Sequence, residues 1–349
     1  MSRRGWVLFT LMSVLWGIPY LMIKVAVDGG VSVPVLVFTR TALGAAILLP
    51  LALRGRAGDG GFGALRPHWR PILAFAALEI IGPWALLSDA ERHLSSSLTS
   101  LLVAAVPIVG VVLARLVAVW ERNRPGAQAA GGLERSGAER LGVARWAGLL
   151  LGLAGVAMLA APNLEGGSAW AIGEVVLVVL GYSLAPMIAS RRLGDVPSLP
   201  MTTACLTLAA LVYAVPAALT WPETMPDERT LAALAGLGVA CTALGFLVFF
   251  ELIREAGPSR GMVFAYVAPA VAVAAGVLFL DEPLTWGIVG AFVLILCGCV
   301  LATGSGPQLG RWLRTRGGRR AGRPSAPRAE GGTPQATAER SADRGLTEA

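Results

Sequence analysis

Long apolar runs alternate with short polar breaks along this chain, and the runs set the expected architecture. The first extends from Trp6 to about Val27, behind a basic segment with Arg3 and Arg4. Further runs occupy 33–53, 71–90, 96–119, 142–161, 169–190, 200–220, 231–253, 260–280 and 285–303. At about 1.5 Å of rise per residue, each is long enough to cross roughly 30 Å of hydrocarbon as a helix. None shows the two-residue alternation of a barrel strand, and in lipid only helices or closed barrels satisfy every backbone polar group. The pattern predicts an all-α membrane protein with ten transmembrane helices. No small-residue cleavage site follows a short apolar core near the start, so the first run reads as an uncleaved span.

The runs echo one another. Asp89, Arg92 and Pro107 recur as Glu251, Arg254 and Pro269, each 162 residues later. Between them, Ser95-Ser96-Ser97 is answered by Gly257-Pro258-Ser259. The acids that close the two stretches, Glu121 and Glu282, are 161 residues apart, a slip of one. Upstream, Trp16, Pro34 and Pro50 recur as Tyr182, Pro200 and Pro216 at a spacing of 166. These echoes predict two copies of a five-helix unit, over 1–161 and 169–303.

Charge gives the units a direction. Arginines fill alternate breaks: Arg54, Arg56, Arg66 and Arg70, then Arg122 to Arg145, then Arg191 and Arg192, then Arg254 and Arg260, then the tail. The other breaks carry few positive charges. The positive-inside rule places the arginine-rich set and both termini in the cytoplasm of a multi-pass protein of the cell (plasma) membrane. With five spans per unit, the second copy is inverted relative to the first. Residues 122–141 and 304–349 have no apolar period and are expected to be a flexible cytoplasmic loop and a disordered tail. Their arginines would be solvated or rest on anionic headgroups.

Composition agrees with a bilayer as the principal partner. The chain is 349 residues long, 55% hydrophobic, with mean hydropathy +0.66. A net charge of +7 and a pI near 9.9 would suggest nucleic acid in a soluble protein. Here membrane orientation accounts for the arginines, and no nucleic-acid partner is expected. Cys205, Cys241, Cys297 and Cys299 lie within apolar runs, and Cys297-Gly-Cys299 lacks metal-ligand spacing, so neither metal nor cofactor is expected.

The ordered motifs bring a family into view. Trp16-Gly17 stands in the first run and Arg40 in the second; small residues lead from Ser95 to Pro107 in the fourth; Gly148, Gly152 and Gly155-Val156 mark the fifth. The second copy supplies Gly257 to Pro269, Glu282-Pro283-Leu284-Thr285 and Gly290 to Gly298. Over about residues 6–303 the chain resembles the EamA-type ten-span permeases of the drug/metabolite transporter superfamily. The resemblance implies a carrier that exposes a central cavity alternately to each side, often as an exporter of small organic solutes such as amino acids or drugs. It implies a cavity walled mainly by spans one, three, four, six, eight and nine.

Polar and aromatic residues at span depth are the candidate chemistry. Glu79 lies near the middle of the third run, where a charge costs about 2.5–3.5 kcal/mol on insertion scales, so it is expected to face a cavity or a partner. Pro83, four residues on, cannot donate to the Glu79 carbonyl. Glu79 is a candidate for proton coupling or substrate-amine binding; a structural ion pair or hydrogen bond is the competing role. Arg40 is its natural partner, unless it snorkels to the interface. Lys24 has the same choice between snorkelling and substrate contact.

Asp89–Arg92 and Glu251–Arg254 each share a helix face and are candidate gates at opposite ends, or simply helix-end charges. Trp16, Tyr20, Trp84, Tyr182 and Tyr266 sit away from span ends, where interfacial aromatics belong, and are candidate substrate contacts or core packing. Pro19, Pro83, Pro107, Pro186 and Pro269 are expected to kink their helices and free carbonyls. The glycines of the fifth run read as close helix packing. No GxSxG, HExxH or Walker loop is encoded, so neither enzyme chemistry nor an ATP motor is expected. The sequence thus points to a secondary carrier. An uncoupled facilitator, or a membrane scaffold acting through its arginine-rich segments, are the alternatives; substrate, direction and oligomeric state are not encoded legibly.

Overall fold

A computed structural model describes residues 2–54, 61–122, 143–165, 168–257 and 262–302. The loop expected over 122–141, beyond its first residue, and the tail expected over 304–349 lie outside these residues. The described chain is helical throughout, without strands. Its helices are α1 (Arg3–Asp28), α2 (Val33–Leu53), α3 (Trp69–Ala76), α4 (Gly82–Ala90), α5 (Ser96–Val103), α6 (Val106–Arg122) and α7 (Val143–Glu165). They continue as α8 (Ala169–Arg192), α9 (Ser198–Leu219), α10 (Glu228–Gly236), α11 (Gly245–Ala256), α12 (Phe264–Phe279) and α13 (Trp286–Ala302). Among the described residues, 7 helical segments are long and apolar enough to cross a membrane, and three shorter apolar helices, Trp146–Ala161, Phe264–Phe279 and Trp286–Leu301, accompany them.

Three expected spans are not uniform α-helices. In the third, a π-turn over Ala77–Ile81 joins α3 to α4; in the eighth, another over Leu237–Leu244 joins α10 to α11. These turns fall at matching places in the two halves. In the fourth, the helix stops at Val103 and restarts at Val106, because Pro107 has no N–H to continue the ladder. Short-range bonds bridge the break, Ala105 N–H to Leu102 O and Ile108 N–H to Ala105 O.

Lipid-facing character is plain on the outside. Leu116, Leu150, Leu153, Leu211, Val215 and Leu278 are exposed although strongly apolar. Trp6, Trp69, Trp120, Trp146, Trp170 and Trp286 are exposed near helix ends, as an interfacial belt requires. Trp16 and Trp84 instead turn inward.

Small residues decide how closely the helices approach. A Cβ on Gly298 of α13 would lie 2.5 Å from the Gly152 nitrogen of α7, so these glycines let two backbones touch. The main packed pairs are α2 with α9, α7 with α13, α1 with α11 and α12, and α8 with α4 and α6. One core cluster lies around α2, α4, α8 and α9; a second around α5, α7, α8 and α13; a third joins α1, α11 and α12.

Candidate functional site

The π-turn carrying Glu79 is held open by its neighbours. Gly82 N–H donates five residues back, to Ala77 O, and Pro83 donates nothing. The Tyr213 hydroxyl from α9 donates to Ile81 O at 2.8 Å. Gly181 lets α8 press against the turn; a Cβ there would stand 2.5 Å from Leu78 O. The result aims Glu79 inward, with Oε2 buried and without a hydrogen-bond partner. Tyr182 and Cys205 lie within its electrostatic reach.

Arg40 is buried beside the other π-turn. Its Nε donates to Thr242 Oγ1 at 3.0 Å, and Thr242 in turn donates to Leu237 O at 2.7 Å. Gly44, one turn along α2, makes room, since a Cβ there would collide with Thr242 Cγ2 at 2.6 Å. The guanidinium carbon lies 3.6 Å over the Trp84 ring, a desolvated cation–π contact. No carboxylate among the described residues pairs with Arg40, and Tyr182 lies within electrostatic reach of both Arg40 and Glu79. Tyr20 stands within electrostatic reach of Tyr182 and Arg40.

The structure links Tyr20, Arg40, Glu79, Trp84 and Tyr182, from four different spans, through a chain of neighbouring polar and aromatic groups. Trp16 and Tyr266 go elsewhere. Trp16 packs against Phe246, Phe249 and Phe264, with ring centroids 5.8, 6.1 and 5.7 Å away. Tyr266 packs on the second core cluster, beside α5 and α13.

Comparison with known proteins gives this apolar helical bundle a family. The profile of the EamA-like transporter family matches residues 3–120 and 169–304. The chain belongs to the EamA-like transporter family. It is 26% identical to the uncharacterized transporter YvbV of Bacillus subtilis, over 88% of this chain and 94% of that protein. It is 24% identical to the uncharacterized inner membrane transporter YedA of Escherichia coli K12, over 86% and 89%. One solved crystal structure, at 21% identity, superposes with a TM-score of 0.58 over 86% of this chain and 98% of that one, a likeness of fold.

In this EamA-family chain the two charge pairs lie at opposite ends of the bundle. Asp89–Arg92 closes at 3.3 Å at the end of α4. Glu251 pairs with Arg254 and with Arg4, both at 3.0 Å, tying α11 to the start of α1, where Ser2 also bonds Glu255. The prolines act unequally. Pro107 breaks its span, and side chains from other helices bond carbonyls around the break: Cys299 to Ala104 O at 3.2 Å and Ser183 to Val106 O at 3.1 Å. Pro19, Pro186 and Pro269 sit within continuous helices.

Sequence reading passed over Glu91. It follows α4 directly and is 0% exposed, with neither carboxylate oxygen bonded. Its signal was the seven-residue spacing from Trp84, which puts both on one helix face. Lys24 does not snorkel freely: Nζ donates to Glu91 O at 2.9 Å and pairs with Asp28 at 3.0 Å. Glu282 also gained a role from the fold. Ser96 N–H donates to Glu282 Oε1 at 2.7 Å, Ser97 N–H to Oε2 at 3.0 Å, and the Ser97 hydroxyl donates to Oε2 as well.

Proposed function

We propose that this transporter is a secondary carrier that moves a small organic solute, in the direction of export, by alternating access. The observation that carries the reading is the unpartnered Glu79 carboxyl on its π-turn, within electrostatic reach of Tyr182, which also lies within reach of the Arg40 guanidinium over Trp84. A buried carboxyl without a donor and a buried guanidinium without a carboxylate are costly at rest. Such groups are supplied with partners when a polar solute or a proton enters. Glu79 is the coupling acid in this reading, and Tyr20, Arg40, Trp84 and Tyr182 are the solute contacts.

The reading includes ten spans in two inverted repeats, 1–161 and 169–303, with both termini cytoplasmic in the plasma membrane. Its support is twofold. The main helix pairings are unchanged when the five spans of one half are exchanged with those of the other: two with seven and five with ten map onto themselves, one with eight onto six with three, and one with nine onto six with four. The printed description of YedA as an inner membrane transporter supports the location.

The test is ligand-induced thermal stabilisation of purified protein across amino acids, nucleosides, sugars and cationic drugs, at about pH 5.5 and 7.5. A hit whose strength varies with pH in the wild type but not in Glu79→Gln supports the coupled carrier. A hit with the same pH behaviour in both proteins leaves a facilitator with a structural Glu79. A flat panel with folded protein counts against a small-solute carrier and favours the scaffold.

A further inference from the structure

The end of the bundle remote from the N-terminus is closed by a latch. Glu282, just beyond α12, sets its carboxylate on the first turn of α5. Three of the four N–H groups that this helix start leaves open are met here: Ser96 and Ser97 donate to Glu282, and Leu98 to the Ser95 hydroxyl. Gly276 is required for this, since a Cβ there would lie 2.4 Å from Glu282 Oε2.

Glu91 lies beneath the latch, sealed from solvent, with both oxygens unbonded. The charged and titratable groups facing it are Tyr20, Lys24 and Asp28 of α1, Arg40 of α2, and Glu282 of the latch. The positive ones are occupied: Lys24 by Asp28 and the Glu91 main chain, Arg40 by Thr242 and the Trp84 ring. A carboxylate in that position would be buried without a hydrogen bond and would repel Glu282 and Asp28. A neutral acid would bury no charge and would repel neither of them.

We propose that Glu91 is a protonation site that governs the latch: it holds a proton while Glu282 caps α5, and gives it up to water when this end opens. Geometry supplies the linkage, because opening hydrates Glu91 and separates it from Glu282. Burial, the largest influence, holds the Glu91 carboxyl well above the usual carboxylate range in the latched form; Glu282 and Asp28 push the same way, Lys24 and Arg40 against. The latched form binds the proton more tightly, so acid favours it. As pH rises from the ordinary carboxylate range toward the raised value, the latch weakens. The proposal rests on the alternating-access reading but not on Glu79, and it needs no substrate to test.

Hydrogen exchange of residues 95–103 and 276–284, followed from about pH 5 to 8 and corrected for the intrinsic chemical rate, reads the latch directly. The wild type should open by up to about tenfold more per pH unit as one proton leaves. Glu91→Gln should stay protected at every pH, whereas Glu79→Gln should keep the wild-type slope. Flat wild-type exchange, or a slope that survives in Glu91→Gln, overturns the proposal. Loss of the slope in Glu79→Gln alone overturns it too, and assigns the pH response to the central acid. Should Glu91→Gln fail to fold, Lys24→Gln serves: removing that positive charge should move the opening transition to higher pH, and an unmoved or lowered transition overturns the assignment.

Discussion

The guanidinium of Arg40 lies 3.6 Å over the indole of Trp84, held there by Thr242 and by no carboxylate. A cation so placed in an apolar bundle stabilises little by itself, because desolvation offsets what the ring and the hydroxyl return. Its terminal N–H groups remain for an incoming acceptor. Arg40 thus has the profile of a binding residue more than of a strut.

That profile makes stability and binding separable. Arg40→Met, of similar length and no charge, should leave the thermal midpoint unchanged or raised. The same change should abolish stabilisation by whatever solute the wild type recognises. A fall in the midpoint of more than about 5 °C, read by differential scanning fluorimetry, would show that Arg40 is a structural residue instead.

Tyr213→Phe tests the π-turn. The lost hydroxyl leaves the Ile81 carbonyl without its donor, which costs about 1–3 kcal/mol for a buried acceptor. The thermal midpoint should fall by a few degrees, and the amides of residues 77–82 should exchange faster. Unaltered exchange there would mean the turn does not depend on this bond.

Gly181 and Gly173 make a paired test on one helix. Gly181→Ala forces a Cβ into Leu78 O, which should cost about 1–3 kcal/mol by overpacking and push α8 from the Glu79 turn. Gly173→Ala meets nothing within 4 Å and should be neutral or slightly stabilising. Equal midpoints for the two variants would refute the close α8 contact.

At the latch, Gly276→Ala and Glu282→Gln should act alike. The first displaces the carboxylate and the second removes its charge from the α5 N-terminus, each at about 0.5–2 kcal/mol. Both should accelerate exchange at Ser96 and Ser97 without changing it at the Arg4–Glu251 end. Acceleration at both ends alike would indicate general destabilisation.

Much of the candidate site is legible in the sequence. Glu79, Arg40, Tyr20, Trp84 and Tyr182 stand out because polar and aromatic groups at span depth are expensive in lipid. Trp16 and Tyr266 met the same criterion yet serve aromatic and apolar clusters, since depth alone does not say which face a residue occupies. Glu91 was overlooked because Asp89, Arg92 and His93 around it look like an ordinary polar helix end. Only burial distinguishes it from them.

The sequence by itself determined that this is a helical membrane protein, where its apolar helices run, and that Asp89–Arg92 and Glu251–Arg254 echo each other. Those properties are local: hydropathy and length are measured against a bilayer of fixed thickness, and every backbone bond of a helix closes within it. Tertiary structure alone decided that Glu282 would cap Ser96 and Ser97, that Gly298 would meet Gly152, and that Arg40 would rest on Trp84 rather than pair with Glu79. In lipid, apolar surface gives no preference among neighbours. The choice falls to small-residue contacts and a few hydrogen bonds between residues far apart in the chain, and no window along the sequence contains both members of such a pair.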